Sequence, residues 1–282
     1  MHRRLLLGLA ALPLLAPRTG RAQRLEALFA PRARLWERWT AQDARSTLAV
    51  DHAAWDGFLR RYRRAGADGV ARLAYGAVTP ADRQALEFYL GVLVGTPVDR
   101  LSRPEQYAYW VNLYNALTVR TVLFAYPVAS IRDINLSGGL LVRGPWDVTL
   151  ATVAGEGITL NDIEHRILRP IWRDPRTHYV LNCASIGCPD IPAAALTAAN
   201  AEALLDAGAR AYVNHPRGVG VLADGSGLRL SSIYNWFAGD FGGEAGVVPH
   251  LLRHAAPPLA EAIRRNPRIA GYAYDWALND AR

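Results

Sequence analysis

Both cysteines of this chain fall in one stretch, His178-Tyr-Val-Leu-Asn-Cys183-Ala-Ser-Ile-Gly-Cys188-Pro189-Asp190. Ala184 to Pro189 is small, contains a glycine and closes on a proline, which is loop chemistry. His178 to Asn182 alternates as a short strand does. A thiol where a strand gives way to a loop is open to a ligand. A free thiol has a pKa of about 8.5 and needs a base or a positive neighbour to act as a nucleophile at neutral pH. His178 and His165 are the candidates for that neighbour. Along a flat strand the odd offset of five residues puts His178 and Cys183 on opposite faces, so His178 reaches the thiol only if the chain bends at Asn182 or Cys183. His165 lies on a separate helix and carries no such restriction. Glu164 or Asn112 is placed to orient an imidazole, and the backbone N–H groups of Ala184 to Gly187 to hold an oxyanion.

The same residues fit three other chemistries. In an oxidising compartment Cys183 and Cys188 would form a disulfide. With one or two histidines they would make a metal site, although the C-x4-C spacing is looser than the usual zinc pattern and no second cysteine pair exists. They could also be inert buried thiols. The sequence assigns no cofactor and no metal ligand.

The elements that must position these residues are mostly helical. Asp51 to Arg64 reads as a helix with Trp55, Phe58, Leu59 and Tyr62 at helical spacing. Thr79-Pro80 caps a second, which runs to Gly95. Arg103-Pro104 opens a long helix, Tyr107 to Tyr126, ended by Pro127. That helix is apolar on nearly every side, which predicts a central position. Asn112 and Asn115 interrupt it three residues apart, on one face. Buried amides must be paired, because an unpaired one costs about 1–3 kcal/mol. They therefore tie neighbouring backbone into the core or orient a site group.

Trp146 to Val153 and Ile158 to Leu160 read as strands around the turn Ala154-Gly-Glu-Gly157. Asn161-Asp-Ile-Glu164 has the form of a capping box, with Asn161 as cap and Glu164 reaching back, and it opens a helix through His165 to Leu168. Ala198 to Val213 is a helix. Asp224-Gly-Ser-Gly227 joins a hairpin. Helices over Ser231 to Gly242 and Val248 to Ile263 and a last aromatic strand, Ile269 to Trp276, follow. Helices leading and hairpins mixing in later predict an α+β fold, a helix-rich N-terminal half packed on a small, mostly antiparallel sheet.

The N-terminus has the order of a secretory signal: Arg3 and Arg4, the apolar run Leu5 to Ala16, then Gly20-Arg21-Ala22. That run is shorter than the roughly 20 residues needed to span a membrane. The arginine pair also suits the twin-arginine route. The expectation is a signal peptide at 1–22, a lead-in at 23–49 with Leu35, Trp36 and Trp39 available for packing, and one domain over 50–282. The mature protein would be periplasmic or secreted, with no transmembrane span. Losing Arg3, Arg4, Arg18 and Arg21 and no acid takes the formal charge from +7 to +3. A charge that small, with no basic stripe interleaved with aromatics, argues against nucleic acid and leaves an unidentified small-molecule or peptide substrate as the expected partner. All 32 basic residues are arginine, which reflects codon bias. Arg60-Arg61-Tyr62-Arg63-Arg64 is expected to be the solvated face of a helix.

Several stretches taken together resemble the family known as domain of unknown function 547, common among exported bacterial proteins. They are Tyr109-Trp-Val-Asn-Leu-Tyr-Asn-Ala116, Asn161-Asp-Ile-Glu-His-Arg-Ile-Leu-Arg-Pro170, His178 to Pro189, Ser231-Ser-Ile-Tyr-Asn-Trp-Phe-Ala-Gly-Asp-Phe241 and Tyr274-Asp-Trp-Ala-Leu-Asn279. The resemblance covers roughly residues 50–279. A distant papain-like or transglutaminase-like kinship suggested for such sequences implies that Cys183 is an active-site thiol, in a hydrolase or acyl-transferase. Some members carry a lysine between the cysteines; Ala184-Ser-Ile-Gly187 does not, so no role for one carries over.

Overall fold

A computed structural model describes residues 30–136, 138–139 and 144–281 of the chain. The signal-peptide reading of residues 1–22 lies outside them. The long helix is at the centre. Helices α1 (Ala53–Tyr62), α2 (Pro80–Val94) and α3 (Arg103–Ala125) follow one another, and α3 buries nearly every side chain from Gln106 to Leu123. It starts with Pro104 in its first turn, where a missing N–H is harmless. It stops because Tyr126, held extended before Pro127, cannot continue the helix. Trp110, Tyr109, Tyr114 and Trp55 are each at most 2% exposed. Large aromatic side chains bury about 150–250 Å² each, worth about 4–6 kcal/mol before entropy is charged. Thr79 caps α2 through the Asp82 N–H, as its sequence predicts.

Trp39 of the lead-in packs edge-on against Trp110 with ring centroids 5.0 Å apart, so this part of the chain contributes to the core. Arg60 and Arg61 stand in solvent, and Arg61 bonds Asp82. A second apolar cluster forms around α4 (Ala201–Val213), α5 (Glu244–His254) and α6 (Pro257–Arg265), with Tyr179, Tyr212 and Tyr234 inside it.

The strands form three small sheets. β1 (Arg63–Ala65) pairs with β2 (Ala71–Leu73), and β3 (Ala151–Val153) with β4 (Glu156–Ile158), both antiparallel. β5 (Val219–Val221) and β6 (Leu228–Ser231) form the expected hairpin, and β7 (Ile269–Ala273) joins β6 in parallel. The fold is α+β.

Four local expectations change. The helix expected over Val248–Ile263 is two helices, because Ala256, extended before Pro257, breaks it and Pro257 starts the next. The Ser231–Gly242 helix is a short turn of helix, Ile233–Trp236, followed by a 3-10 turn, Ala238–Phe241. His178 lies in a 3-10 turn, Pro175–Tyr179, that Asp174 caps through the Arg176 N–H, and not in a strand. The capping box also sits two residues earlier than read. Thr159 Oγ1 accepts from the Asp162 N–H at 2.9 Å and Asp162 Oδ2 accepts from the Thr159 N–H at 3.1 Å. Asn161 bonds Asp147 instead, which leaves Glu164 without a capping role.

Candidate functional site

Asn115 and Asn182 build the cysteine loop. From α3, Asn115 accepts the Asn182 N–H at 2.9 Å and donates to Val180 O at 2.8 Å, as a neighbouring strand would. The Asn182 side chain donates to Pro189 O at 2.7 Å and accepts from the Ala184 N–H at 2.9 Å and from Asn279 at 3.1 Å. This turn puts Ala184 at φ 60°, left-handed and uncommon for a residue with a Cβ. The chain is thereby folded sharply beside Cys183. Residues 274–279 then run along the loop. Ile186 N donates to Ala277 O and Gly187 N to Asp275 O, both at 2.8 Å, and Asn279 N donates to Ala184 O at 3.1 Å. Gly187 has no room for a side chain, since a Cβ there would lie 2.7 Å from Asp275 N.

That segment delivers Tyr274. Its hydroxyl is 3.1 Å from Cys183 Sγ, Ser185 Oγ is 3.2 Å from the same sulfur, and Ser185 donates to Tyr274 at 2.9 Å. Trp236 and Trp276, with ring centroids 4.8 and 4.6 Å away, hold the phenol ring. Cys183 is half-buried. Cys188 is buried beneath it, and its sulfur accepts the Cys183 N–H at 3.0 Å. Both thiols are free. A hydrogen bond from Cys188 lowers the Cys183 pKa against the opposing effect of burial, and Ser185 and Tyr274 lower it further. Burial and the neighbouring Cys183 charge push Cys188 well up, so it keeps its proton. Burial also keeps the Tyr274 phenol protonated and able to donate. Tyr274→Phe removes one charge-assisted bond to the sulfur, worth about 1.5–3 kcal/mol. The pH midpoint of Cys183 alkylation by iodoacetamide should therefore rise by about one unit or more; an unchanged midpoint would show that the phenol does not stabilise the thiolate.

A second polar group lies close by. Glu164 and His165 sit on a π-helical turn, Asp162–Leu168, which runs on into the helix Arg169–Trp172. Such widened turns collect at functional sites. The backbone N–H groups of Arg34 and Trp36 bond the carbonyls of His165 and Arg166 at 2.9 Å each, and Pro31 O accepts from Arg169. Asp240 Oδ2 accepts from Arg169 Nε at 2.6 Å and from His178 Nε2 at 2.7 Å. Glu164 Oε1 lies 3.6 Å from His178 Nδ1. Phe237 covers the group, stacked on the His178 ring at 4.6 Å, with the Arg169 guanidinium over its own ring at 4.6 Å.

Proton positions follow from the partners. Arginine can only donate, so His165 Nδ1, 2.8 Å from Arg169 Nη1, is an acceptor and the ring is neutral. Burial agrees, lowering its pKa to about 4. His178 has a carboxylate beside each ring nitrogen. Burial works against its charge, but the bonds to Asp240 and Glu164 win and its pKa is raised. Burial pushes Asp240 up, yet His178 and Arg169 hold it down to about 2. Burial likewise opposes ionisation of Glu164, and the cationic neighbours outweigh it. Two buried cations, Arg169 and His178, and two half-buried carboxylates, Glu164 and Asp240, thus form a charge-balanced set. His178, with its folded pKa raised, contributes stability that is full below its unfolded value of about 6.5 and is lost as pH rises through the folded value. The stability gap between the wild type and His178→Gln should be widest below about pH 6.5 and shrink in alkali. A gap independent of pH in urea titrations would remove the imidazolium from this picture.

The two histidines named from sequence are therefore brought together with Glu164, but each ring is engaged by Arg169, Asp240 or Glu164, and Cys183 has hydroxyl partners. Asn112 does not orient an imidazole. It bonds Leu196 backbone both ways, at 2.8 and 3.0 Å. The turn amides of Ala184, Ile186 and Gly187, expected to hold an oxyanion, are occupied by Asn182, Ala277 and Asp275. Ser185, Tyr274, Arg169 and Asp240 were not singled out. All four lie in stretches that carry the family resemblance, which is the signal that could have found them. Tyr114 of α3 is buried, and burial raises its hydroxyl pKa, as do the charges of Glu164 and Cys183.

Among the described residues no group of three or more His, Cys, Asp or Glu could hold a metal ion, and no helix is long and apolar enough to cross a membrane. No curated protein and no solved structure matches the chain. The family described as "Protein of unknown function, DUF547" matches residues 98–213, a span that holds α3, Glu164, both histidines and both cysteines. Over those residues, fewer than half of the chain, the protein is similar to the DUF547 family.

Proposed function

We propose that this protein is an exported thiol-dependent hydrolase or acyl-transferase with Cys183 as its nucleophile. The observation that carries the reading is the position of Cys183 Sγ 3.1 Å from the Tyr274 hydroxyl, which accepts from Ser185 and is left free to donate to the sulfur, beside a left-handed turn. An ordinary thiol is only a few per cent ionised at pH 7; a hydroxyl donor that favours the anion raises that fraction without a histidine base. The thiolate attacks an acyl carbonyl, a C–S bond forms, and the leaving group departs with a proton from the Tyr274 hydroxyl. Water or an acceptor alcohol or amine then attacks the thioester, the C–S bond breaks, and the attacking group's proton returns to Tyr274. Export rests on the order of charge, apolar run and small residues over Met1 to Ala22, and protein from the cell envelope should begin close to Gln23.

The test uses p-nitrophenyl acetate as acyl donor. The purified mature protein should accumulate an acetyl thioester on Cys183, seen by mass spectrometry at mildly acidic pH. Cys183→Ala should lose the adduct completely while keeping the wild-type melting temperature. An adduct that persists in Cys183→Ala, or a wild type that never acylates although its thiol is free, would overturn the reading.

A further inference from the structure

We propose that Cys183 and Cys188 form a reversible, peroxide-driven dithiol–disulfide couple in which Cys183 is the reacting thiol and Cys188 the resolving one. The Ser185–Cys188 turn, closed by the Cys188 N–H on Ser185 O at 3.1 Å, folds residue 188 back onto residue 183. As a result Cys188 sulfur, rather than a carbonyl oxygen, accepts the Cys183 N–H, at 3.0 Å. Access is unequal: Cys183 is half-buried, while Cys188 is 5% exposed and lies against Leu181 O. An oxidant therefore meets Cys183 first, with a second thiol already held against the reacting residue.

The chemistry balances with a hydroperoxide as the oxidant. The Cys183 thiolate attacks one peroxide oxygen, an S–O bond forms, the O–O bond breaks, and the other oxygen leaves and takes up a proton as an alcohol or water. Cys183 is then a sulfenic acid, with Ser185 and Tyr274 as hydrogen-bond partners. Cys188 sulfur attacks it, the S–S bond forms, the S–O bond breaks, and the hydroxide leaves as water with the Cys188 proton. Two thiols are oxidised by two electrons and one peroxide is reduced. The disulfide stops Cys183 from climbing to sulfinic and sulfonic acid, which thiols do not reverse. Dithiothreitol restores both thiols.

This couple rests on the reading of Cys183 as an activated thiol but not on any acyl substrate, so the two can fail separately. The experiment treats the folded, purified protein with hydrogen peroxide, removes the oxidant, unfolds the protein in urea so that Cys188 can be reached, then alkylates with iodoacetamide and maps peptides, with and without dithiothreitol. In the wild type, both cysteines should lose alkylation together, a Cys183–Cys188 cross-link should appear, and dithiothreitol should restore both. In Cys188→Ser the same exposure should carry Cys183 to sulfinic acid that dithiothreitol does not recover. Because the wild-type cross-link is read directly, a poorly folded variant does not decide the outcome. Cys188 that stays alkylatable while Cys183 oxidises, or wild-type Cys183 that over-oxidises with no cross-link, overturns the proposal. Cross-linking without any acetyl thioester would leave this couple standing and defeat the acyl-transfer reading alone.

Discussion

Asp240→Ala should destabilise the protein by about 3–5 kcal/mol, the cost of breaking a buried ion pair by removing one partner. Asp240 Oδ2 serves two cations at once, Arg169 at 2.6 Å and His178 at 2.7 Å. Without it the Arg169 side chain, 6% exposed, keeps a charge it cannot shed. His178 can shed its own. The loss should therefore be greater at pH 5.5 than at pH 8.5, where the imidazole deprotonates and one of the two stranded charges disappears. Urea unfolding at the two pH values measures both. Asp206→Ala is the control: its carboxylate, 43% exposed, also pairs with an arginine, yet an exposed pair is worth at most about 1 kcal/mol. Equal losses for the two variants would mean that the Asp240 pairs behave as surface pairs.

Gly187→Ala should do the most damage to the thiol for the smallest change in chemistry. The added methyl would sit 2.7 Å from Asp275 N, 2.9 Å from Asp275 O and 3.0 Å from Tyr274 Cδ1. The first two are backbone atoms and cannot swing aside, so segment 274–279 must lift away from the loop. Overpacking of this kind costs about 1–3 kcal/mol, and the Gly187 N–H to Asp275 O bond is lost as well. Tyr274 moves with its segment. Cys183 should then alkylate at a higher pH than in the wild type, as in Tyr274→Phe, and the near-ultraviolet signal of the Trp236–Tyr274–Trp276 cluster should weaken. Gly91→Ala, where no neighbour lies within 4 Å of the new methyl, should stabilise its helix by about 0.4–1 kcal/mol. Wild-type alkylation in Gly187→Ala would show that the close fit of loop and segment does not govern the thiol.

What could be read from sequence was local. The position of α3 followed from an apolar helix with no polar face, and the Thr79 cap from a hydroxyl before proline. Asn112 and Asn115 were expected to be buried with their amides paired, and they are. The Asn161 capping box failed because Thr159 and Asp162 offered an equivalent box two residues earlier, and no spacing rule ranks one above the other. His178 was read as strand because His178 to Asn182 alternates; Pro175 and Asp174 set a 3-10 turn there first. The partners of the reactive groups were beyond local reading. Tyr274 is 91 residues from Cys183, and Asp240 is 62 from His178. Nothing in periodicity connects positions so far apart.

The 91 residues between Cys183 and Tyr274 also impose an order in time. A ribosome adding about 5–20 residues per second delivers the cysteine roughly 5 to 18 s before its phenol. Until residues 274–279 arrive and align with the loop, the sulfur lacks Tyr274 and the loop lacks its cover. The nascent thiol is thus an ordinary one, unreactive by comparison, and its activation waits for residues 274–279. Chains arrested on the ribosome short of Tyr274 should alkylate at Cys183 with the pH profile of a free cysteine, and released chains with a lower one. The same profile before and after release would remove this built-in delay.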